Sequence, residues 1–225
     1  MKFFNTFIVA SLMVAICLKS YVDAVTYLQM VPYADPNCTE SDGSYGVGFS
    51  FQVGQCMGVG DLAPGAQNIY VSVNNDETIA TISSYKNYDP TCEYRNPNGN
   101  STWVVGGCYR APAYANIGYK VTNNFVRVSI VDNPSYVPLY GFKQAVYSDR
   151  QCSSDPQWYY YYTNGTVFHW GTEYSQTFYC EEYTSIVVTC NGTASQPSCA
   201  SYNVNQGCSR DVWNLHEHNY YLNSC

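Results

Sequence analysis

The sequence predicts an all-β, disulfide-rich fold: either an antiparallel β-sandwich or a pseudo-threefold barrel, built from about three tandem repeats and a cysteine-dense C-terminal tail. Three observations predict it. An aspartate followed three residues later by a cysteine recurs three times, β-branched segments accompany each copy, and no stretch keeps a helical period. With 225 residues, the chain is long enough for one large β domain or two small ones.

The first 24 residues have the pattern of a secretory signal peptide. Lys2 precedes an apolar run from Phe3 to Leu18, and small residues mark a cleavage site after Ala24. A transmembrane helix needs about 20 apolar residues, which is more than this run offers. We therefore expect a secreted protein that begins at Val25 and does not insert into the membrane after cleavage.

The cysteines indicate an oxidising compartment. Of the 11 cysteines, Cys17 lies in the signal peptide, which leaves an even number in the secreted chain. Five disulfides are therefore expected. Structural zinc is not, because no two cysteines have the C-x-x-C spacing of zinc sites. The ten cysteines are Cys38, Cys56, Cys92, Cys108, Cys152, Cys180, Cys190, Cys199, Cys208 and Cys225.

The repeats share one order of features: a strand, an acidic turn with a cysteine, a second strand, a second cysteine and a third strand. The assigned segments are 25–76, 77–133 and 134–190, followed by a tail over 191–225. Pairing inside each segment predicts Cys38–Cys56, Cys92–Cys108 and Cys152–Cys180. For the tail we predict Cys199–Cys208 and Cys190–Cys225, although four cysteines allow three connectivities.

Alternating and β-branched segments give the individual strands of the repeats. The first strands are predicted over Thr26–Val31, Ile79–Tyr85 and Phe142–Tyr147. The second strands are predicted over Tyr45–Val53 and Thr102–Val105. The third strands are predicted over Ile69–Val73, Phe125–Ile130 and Ser185–Thr189.

An aromatic hairpin is predicted in the third repeat, over Trp158–Trp170. Asn164-Gly165 between two β-rich runs is a strong signal for a two-residue turn. The period of two then places Tyr159 and Tyr161 with Phe168 and Trp170 on one face, and Tyr160, Tyr162, Val167 and His169 on the other. Cross-strand aromatic pairing, which itself stabilises a sheet, is the favoured explanation of Tyr159–Tyr162. The alternative is a lectin-like module that contacts carbohydrate through Trp158, Tyr160 and Trp170.

Four N-x-Ser/Thr sequons lie in predicted turns or loops, where a glycosyltransferase can reach them. Glycosylation is expected at most of them. Asn37 is the exception, because Cys38 is the middle residue of its sequon and the disulfide of Cys38 competes with glycosylation. The sequons stand at Asn37, Asn100, Asn164 and Asn191.

Charge and motifs exclude several functions. The net charge is −7 and the basic residues are scattered, so no nucleic acid is expected as a partner. No catalytic or cofactor motif is present. His216 and His218 lack a third metal ligand nearby, so neither a metal nor a cofactor is expected. A secreted hydrolase remains only if Asp61, Asp132 and Glu173 converge in one cleft.

Two short motifs bound the repeats: Tyr-x-Asp-x-x-Cys at the start and Gly-x-Cys at the end. They stand at Tyr33–Cys38 and Tyr147–Cys152, and at Gly54–Cys56 and Gly106–Cys108; the second copy departs, with Tyr88-Asp89 adjacent. On these motifs, the chain resembles the secreted, cysteine-rich repeat glycoproteins of social amoebae (cellular slime moulds). The resemblance implies a cell-surface role in development, mating or cell contact, and it carries over no catalytic residue.

We therefore expect a secreted glycoprotein with a non-enzymatic role in extracellular or cell-surface recognition. Its partner is expected to be an extracellular protein or a glycan on a cell surface, because the sequence lacks catalytic motifs and is rich in tyrosine, with 24 copies. The protein is expected to be extracellular or loosely attached to the cell surface.

Overall fold

The computed structural model describes residues 25–39, 46–63, 66–85, 89, 91–93, 97, 99–111, 125–132, 140–170, 172–192, 195–210 and 219–225. The signal peptide over residues 1–24 lies outside the described residues, and its cleavage stays a prediction. No helix in the described ranges has the length and apolar character needed to cross a membrane.

Sixteen strands form the described part of the fold. Those of the first half are β1 (Tyr27–Tyr33), β2 (Val47–Gln52), β3 (Cys56–Ala63), β4 (Ala66–Val73), β5 (Ile79–Tyr85), β6 (Gly99–Val104), β7 (Cys108–Arg110) and β8 (Phe125–Val131). Those of the second half are β9 (Tyr140–Tyr147), β10 (Trp158–Thr163), β11 (Val167–Trp170), β12 (Tyr174–Glu181), β13 (Thr184–Asn191), β14 (Ser198–Asn203), β15 (Ser209–Arg210) and β16 (Tyr220–Ser224). Every strand predicted from the sequence is present.

The strands form three antiparallel sheets. The central sheet has eight strands in the order β15-β16-β9-β10-β2-β1-β8-β7. The first outer sheet has the order β3-β4-β5-β6, and the second outer sheet has the order β11-β12-β13-β14. The predicted all-β class and the disulfide-rich sandwich are confirmed; the described strands form open sheets rather than a closed barrel.

The second half repeats the strand order of the first. In the central sheet, the first half contributes β2-β1-β8-β7 and the second half contributes β10-β9-β16-β15. The two halves meet where β2 pairs with β10. Each half therefore has four strands in the central sheet and four in its own outer sheet. The segment boundaries drawn from the sequence stay a prediction.

A glycine turn marks the passage of the chain between the central sheet and an outer sheet at three places. Gly54, Gly106 and Gly165 have positive φ values of 79°, 84° and 77°, which glycine adopts without steric cost. Their N–H groups donate to the carbonyl oxygens of Val71, Val128 and Phe178 at 2.8, 2.8 and 2.9 Å. Each acceptor lies two strands further on, so the same backbone bond fixes the change of sheet each time.

The main hydrophobic core lies between the central sheet and the outer sheets. In the first half, Leu28 and Phe49 of the central sheet are buried together with Met57 and Val71 of the first outer sheet. The core reaches the second half through Phe168, which is also buried. Alternate residues of the central strands point into this core, as the period of two predicts.

The predicted aromatic hairpin is wrong. β10 pairs on one side with β2 and on the other with β9, while β11 pairs with β12 in a different sheet. The turn at Asn164-Gly165 is present, since the Thr166 N–H donates to the Thr163 carbonyl oxygen at 3.0 Å. Both edges of β10 are already paired with other strands, so β11 cannot pair with β10.

The predicted faces of the aromatic residues are wrong for the same reason. The rings of Phe168 and Tyr162 lie 4.3 Å apart between centroids, so Phe168 packs with Tyr162 rather than with Tyr159 and Tyr161. Tyr159 and Tyr161 are fully buried in a separate cluster with Ala145. The Trp170 side chain lies outside the described residues.

Candidate functional site

The three Asp-x-x-Cys motifs form one kind of turn. Each cysteine has a left-handed φ of between 51° and 55°, and its N–H donates to the carbonyl oxygen of the aspartate at 3.2 to 3.4 Å. In the first copy, the Asp35 carboxylate accepts from the N–H groups of Asn37 and Thr39 at 2.9 and 3.0 Å. The hydrogen bonds of the aspartate therefore stabilise the turn that orients the cysteine side chain. The pairs are Asp35–Cys38, Asp89–Cys92 and Asp149–Cys152.

Among the three turns, the Asp149 carboxylate accepts the most extensive set of hydrogen bonds within the part of the chain that the structure describes. The hydroxyl of Ser154 donates to it at 2.6 Å, and the N–H groups of Ser154, Ser153 and Gln151 also donate to it. These bonds, with the Ser154 hydroxyl as the largest cause, hold the pKa of Asp149 well below its ordinary value. The Asp149 carboxylate therefore stabilises the loop between β9 and β10.

The ten expected cysteines form five disulfides, but every predicted pairing is wrong. None of the bridges joins the two cysteines that were assigned to one repeat, and none matches the predicted pairing of the tail. The observed bridges are Cys38–Cys108, Cys56–Cys92, Cys152–Cys208, Cys180–Cys225 and Cys190–Cys199. These bridges replace the predicted pairings Cys38–Cys56, Cys92–Cys108, Cys152–Cys180, Cys199–Cys208 and Cys190–Cys225.

The bridges follow the duplication of the strand order. Cys38 follows β1 and bonds to Cys108 at the start of β7. In the second half, Cys152 follows β9 and bonds to Cys208, directly before β15. The same bridge therefore closes each half around its strands of the central sheet, while no bridge crosses from one half to the other.

Two of the three sequence-predicted ligand contacts, Trp158 and Tyr160, lie in or against the core. The Trp158 side chain is 3% exposed, and its Nε1–H donates to the Gly58 carbonyl oxygen at 2.8 Å. Tyr160 is half-buried against Phe142, with ring centroids 6.0 Å apart. Trp158 therefore links the central sheet to the first outer sheet, and neither ring stands free to stack on a sugar. This corrects the proposed contact set of Trp158 and Tyr160, while the Trp170 side chain is not described.

Of the remaining sequence-predicted sites, the structure describes Asp132 and Glu173, which lie beside strands of different sheets. Asp132 follows β8 and accepts from the Thr26 hydroxyl at 3.3 Å, whereas Glu173 lies in the turn before β12. The Asp61 side chain, His216 and His218 lie outside what the structure describes. Within the described ranges, no group of three or more His, Cys, Asp or Glu residues could hold a metal ion.

The four predicted glycosylation sites are all exposed. Asn37 and Asn164 lie in turns, Asn100 lies on β6, and Asn191 ends β13. Exposure allows a transferase to reach each of them, but their occupancy stays a prediction. The Asn164 side chain also accepts from the Cys180 N–H at 3.1 Å.

Three exposed tyrosines on the second outer sheet were not singled out from the sequence. Tyr183 is 86% exposed, Tyr202 is 53% exposed and Tyr179 is 37% exposed. Tyr183 shares a turn with Glu182, and both have positive φ values, of 70° and 46°. Positive φ is uncommon for such bulky residues. Because tyrosines are frequent throughout the chain, no sequence signal separates these three from the buried ones.

The Tyr183 turn is attached to the loop that follows β14. The Gln206 side chain donates to the Tyr183 carbonyl oxygen at 2.8 Å, and the Val204 N–H donates to the Ser185 carbonyl oxygen at 2.8 Å. The free end of β14 and the acidic, aromatic turn therefore lie side by side. Together they form the most exposed aromatic surface of the described second half.

A family model of the counting factor-associated proteins A, B and C matches residues 1–223. No curated protein and no solved structure matches the chain. The match fits the social-amoeba part of the resemblance and supports a secreted, extracellular protein, but it does not support the developmental or mating type. Because the match spans nearly every residue, the chain belongs to the counting factor-associated protein A/B/C family.

Proposed function

We propose that this protein is a secreted, non-enzymatic protein that associates with a counting factor outside the cell and acts in extracellular recognition. The observation that carries the proposal is the family match over residues 1–223, whose description names that association. The ten disulfide-bonded cysteines support the extracellular setting, because such bridges persist in oxidising compartments.

The form of the fold supports a binding role. Two disulfide-closed halves share one continuous central sheet, which gives a scaffold with little freedom to rearrange. Among the residues that the structure describes, the most exposed aromatic side chains are Tyr183 and Tyr202, which lie on the second outer sheet. Tyrosine combines a large contact area with few rotatable bonds, so exposed tyrosines favour protein contacts.

The experiment is reciprocal capture from culture medium. The full chain, secreted by social-amoeba cells with a C-terminal tag, is captured and its companions are identified by mass spectrometry. The counting factor is then captured in turn. Recovery of each with the other, resistant to washing at moderate salt, supports the proposal. Separate elution of the two proteins during size-exclusion chromatography at micromolar concentration contradicts it.

A further inference from the structure

In the described part of the chain, the three sheets end in six edge strands, and five of them carry some protection against pairing. β15 has 2 residues, β7 has 3 and β11 has 4, and such short edges offer little to a new strand. β3 loses its regular pairing with β4 between Gly58 and Ala63. β6 carries the sequon at Asn100, and a glycan there would cover that edge.

β14 is the exception. It has 6 residues, all of them exposed and none of them charged, and it contains no proline. It pairs with β13 at every position from Ser198 to Asn203 without a bulge. Native sheets avoid long, regular, uncharged edges because these recruit other strands. β6 and β14 hold equivalent places in the two outer sheets, yet only β6 has a sequon within the strand.

The register shows which backbone groups point outward. The Val204 N–H bonds to the Ser185 carbonyl oxygen, and hydrogen-bonded positions alternate along an antiparallel pair. The N–H and C=O groups of Cys199, Ser201 and Asn203 therefore point away from β13. No hydrogen bond to another described residue uses them. Unpaired backbone groups along a strand edge can bind an extended chain, which then becomes an added strand of the sheet.

The charge around β14 indicates which kind of segment could pair with this edge. At the Asn203 end of β14 lies the turn that carries Glu181, Glu182 and the exposed Tyr183. A second copy of the chain fits this end poorly, because the β14 edge and its flanks over residues 195–208 contain no lysine or arginine, and each copy has a net charge of −7. β13 lies between β12 and β14, so Glu181 and Glu182 do not line the outer edge, but they make the Asn203 end of the sheet acidic, which favours an extended segment with a basic residue at this end.

We infer that β14 binds an extended segment of the counting factor as an added strand, with a lysine or arginine of that segment at the acidic Asn203 end of the sheet. The inference rests on the proposed function and names the surface and the partner chemistry that would serve it. Main-chain hydrogen bonds from Cys199, Ser201 and Asn203 supply the pairing. Tyr183 and Tyr202 supply side-chain contact at the acidic end.

The test uses the full secreted chain and purified counting factor, with the dissociation constant measured at equilibrium. Ser201→Pro removes one outward N–H and leaves the bonds to β13 in place, since proline is tolerated when its N–H side faces solvent. We expect at least tenfold weaker binding. Ser201→Asn with Asn203→Thr creates a sequon within β14, and a glycan there should abolish binding until an endoglycosidase removes it.

Ser201→Asn alone is the matched control, because it creates no sequon and keeps the backbone; its binding should equal that of the unchanged chain. Native disulfide masses and an unchanged melting temperature establish that each variant is folded. Folded Ser201→Pro protein that binds with full affinity overturns the inference while the proposed function stands. If the unchanged chain does not bind counting factor, the proposed function and the inference both fall.

Discussion

Cys38 bonds to Cys108, 70 residues away, and not to Cys56, the second cysteine of the same repeat of the sequence. The bridge joins the turn after β1 to the start of β7, so the loop that it closes spans strands of both the central sheet and the first outer sheet. Cys56 instead bonds to Cys92 within the same half. The cross-links therefore enclose a pair of sheets rather than a single repeat.

Loop length predicts how much each bridge stabilises the fold. In the chain-entropy model, closing about 70 residues contributes about 4 kcal/mol and closing about 9 residues contributes about 2.5 kcal/mol. Replacing Cys38 and Cys108 together by alanine should therefore lower the free energy of unfolding more than replacing Cys190 and Cys199, whose separation is 9 residues. Urea unfolding of the two double variants measures the difference. A larger loss for Cys190 and Cys199 would contradict the account.

Gly48 and Tyr161 face each other where the two halves join. Gly48 lies opposite Tyr161 in the β2–β10 pair, and a Cβ on Gly48 would overlap the ring of the fully buried Tyr161. Overpacking of this kind typically costs about 1–3 kcal/mol, so Gly48→Ala should lower the melting temperature by several degrees. Gly99→Ala is the control, since a Cβ there meets no atom within 4 Å. Equal melting temperatures for the two variants would refute the close approach.

The Asp149 turn predicts a pH dependence. Its hydrogen bonds lower the pKa of the carboxylate in the folded protein, so their contribution to stability is complete above the unfolded pKa of about 4. The contribution is lost as the pH falls below that value toward the depressed folded pKa. Asp149→Asn should lower the melting temperature at pH 7 and flatten its fall between about pH 4 and 2.

Melting temperatures over that pH range provide the measurement. Asp155→Asn is the control, because Asp155 lies in the same loop and accepts no hydrogen bond from the residues that the structure describes. The contradicting result is a melting temperature that falls with decreasing pH equally steeply in Asp149→Asn and in the unchanged chain. It would show that the stability of the turn does not depend on this charge.

The local structure could be predicted from the sequence, because it depends on neighbouring residues. Asp35 and Cys38 are close in the chain, and the turn that joins them follows from backbone geometry and side-chain hydrogen bonding. The strands were predictable for the same reason, since alternation and β-branching report on one segment at a time.

The pairing of distant elements could not be predicted in this way. Asn164-Gly165 forms the predicted turn, yet β10 already pairs on both sides with β2 and β9, and no local signal reveals that its edges are occupied. The disulfide partners depend on the same topology, because Cys108 meets Cys38 only once β7 and β8 have joined the central sheet. The burial of Trp158 depends on a carbonyl group 100 residues away.

The central claim is that the bridges close the two halves and not the individual repeats. Peptide mapping of the non-reduced secreted protein by mass spectrometry tests it directly. The account predicts peptides linked through Cys38–Cys108, Cys56–Cys92 and Cys152–Cys208, with Cys180–Cys225 and Cys190–Cys199 in the second half. Peptides linked through Cys38–Cys56, Cys92–Cys108 and Cys152–Cys180 would contradict it.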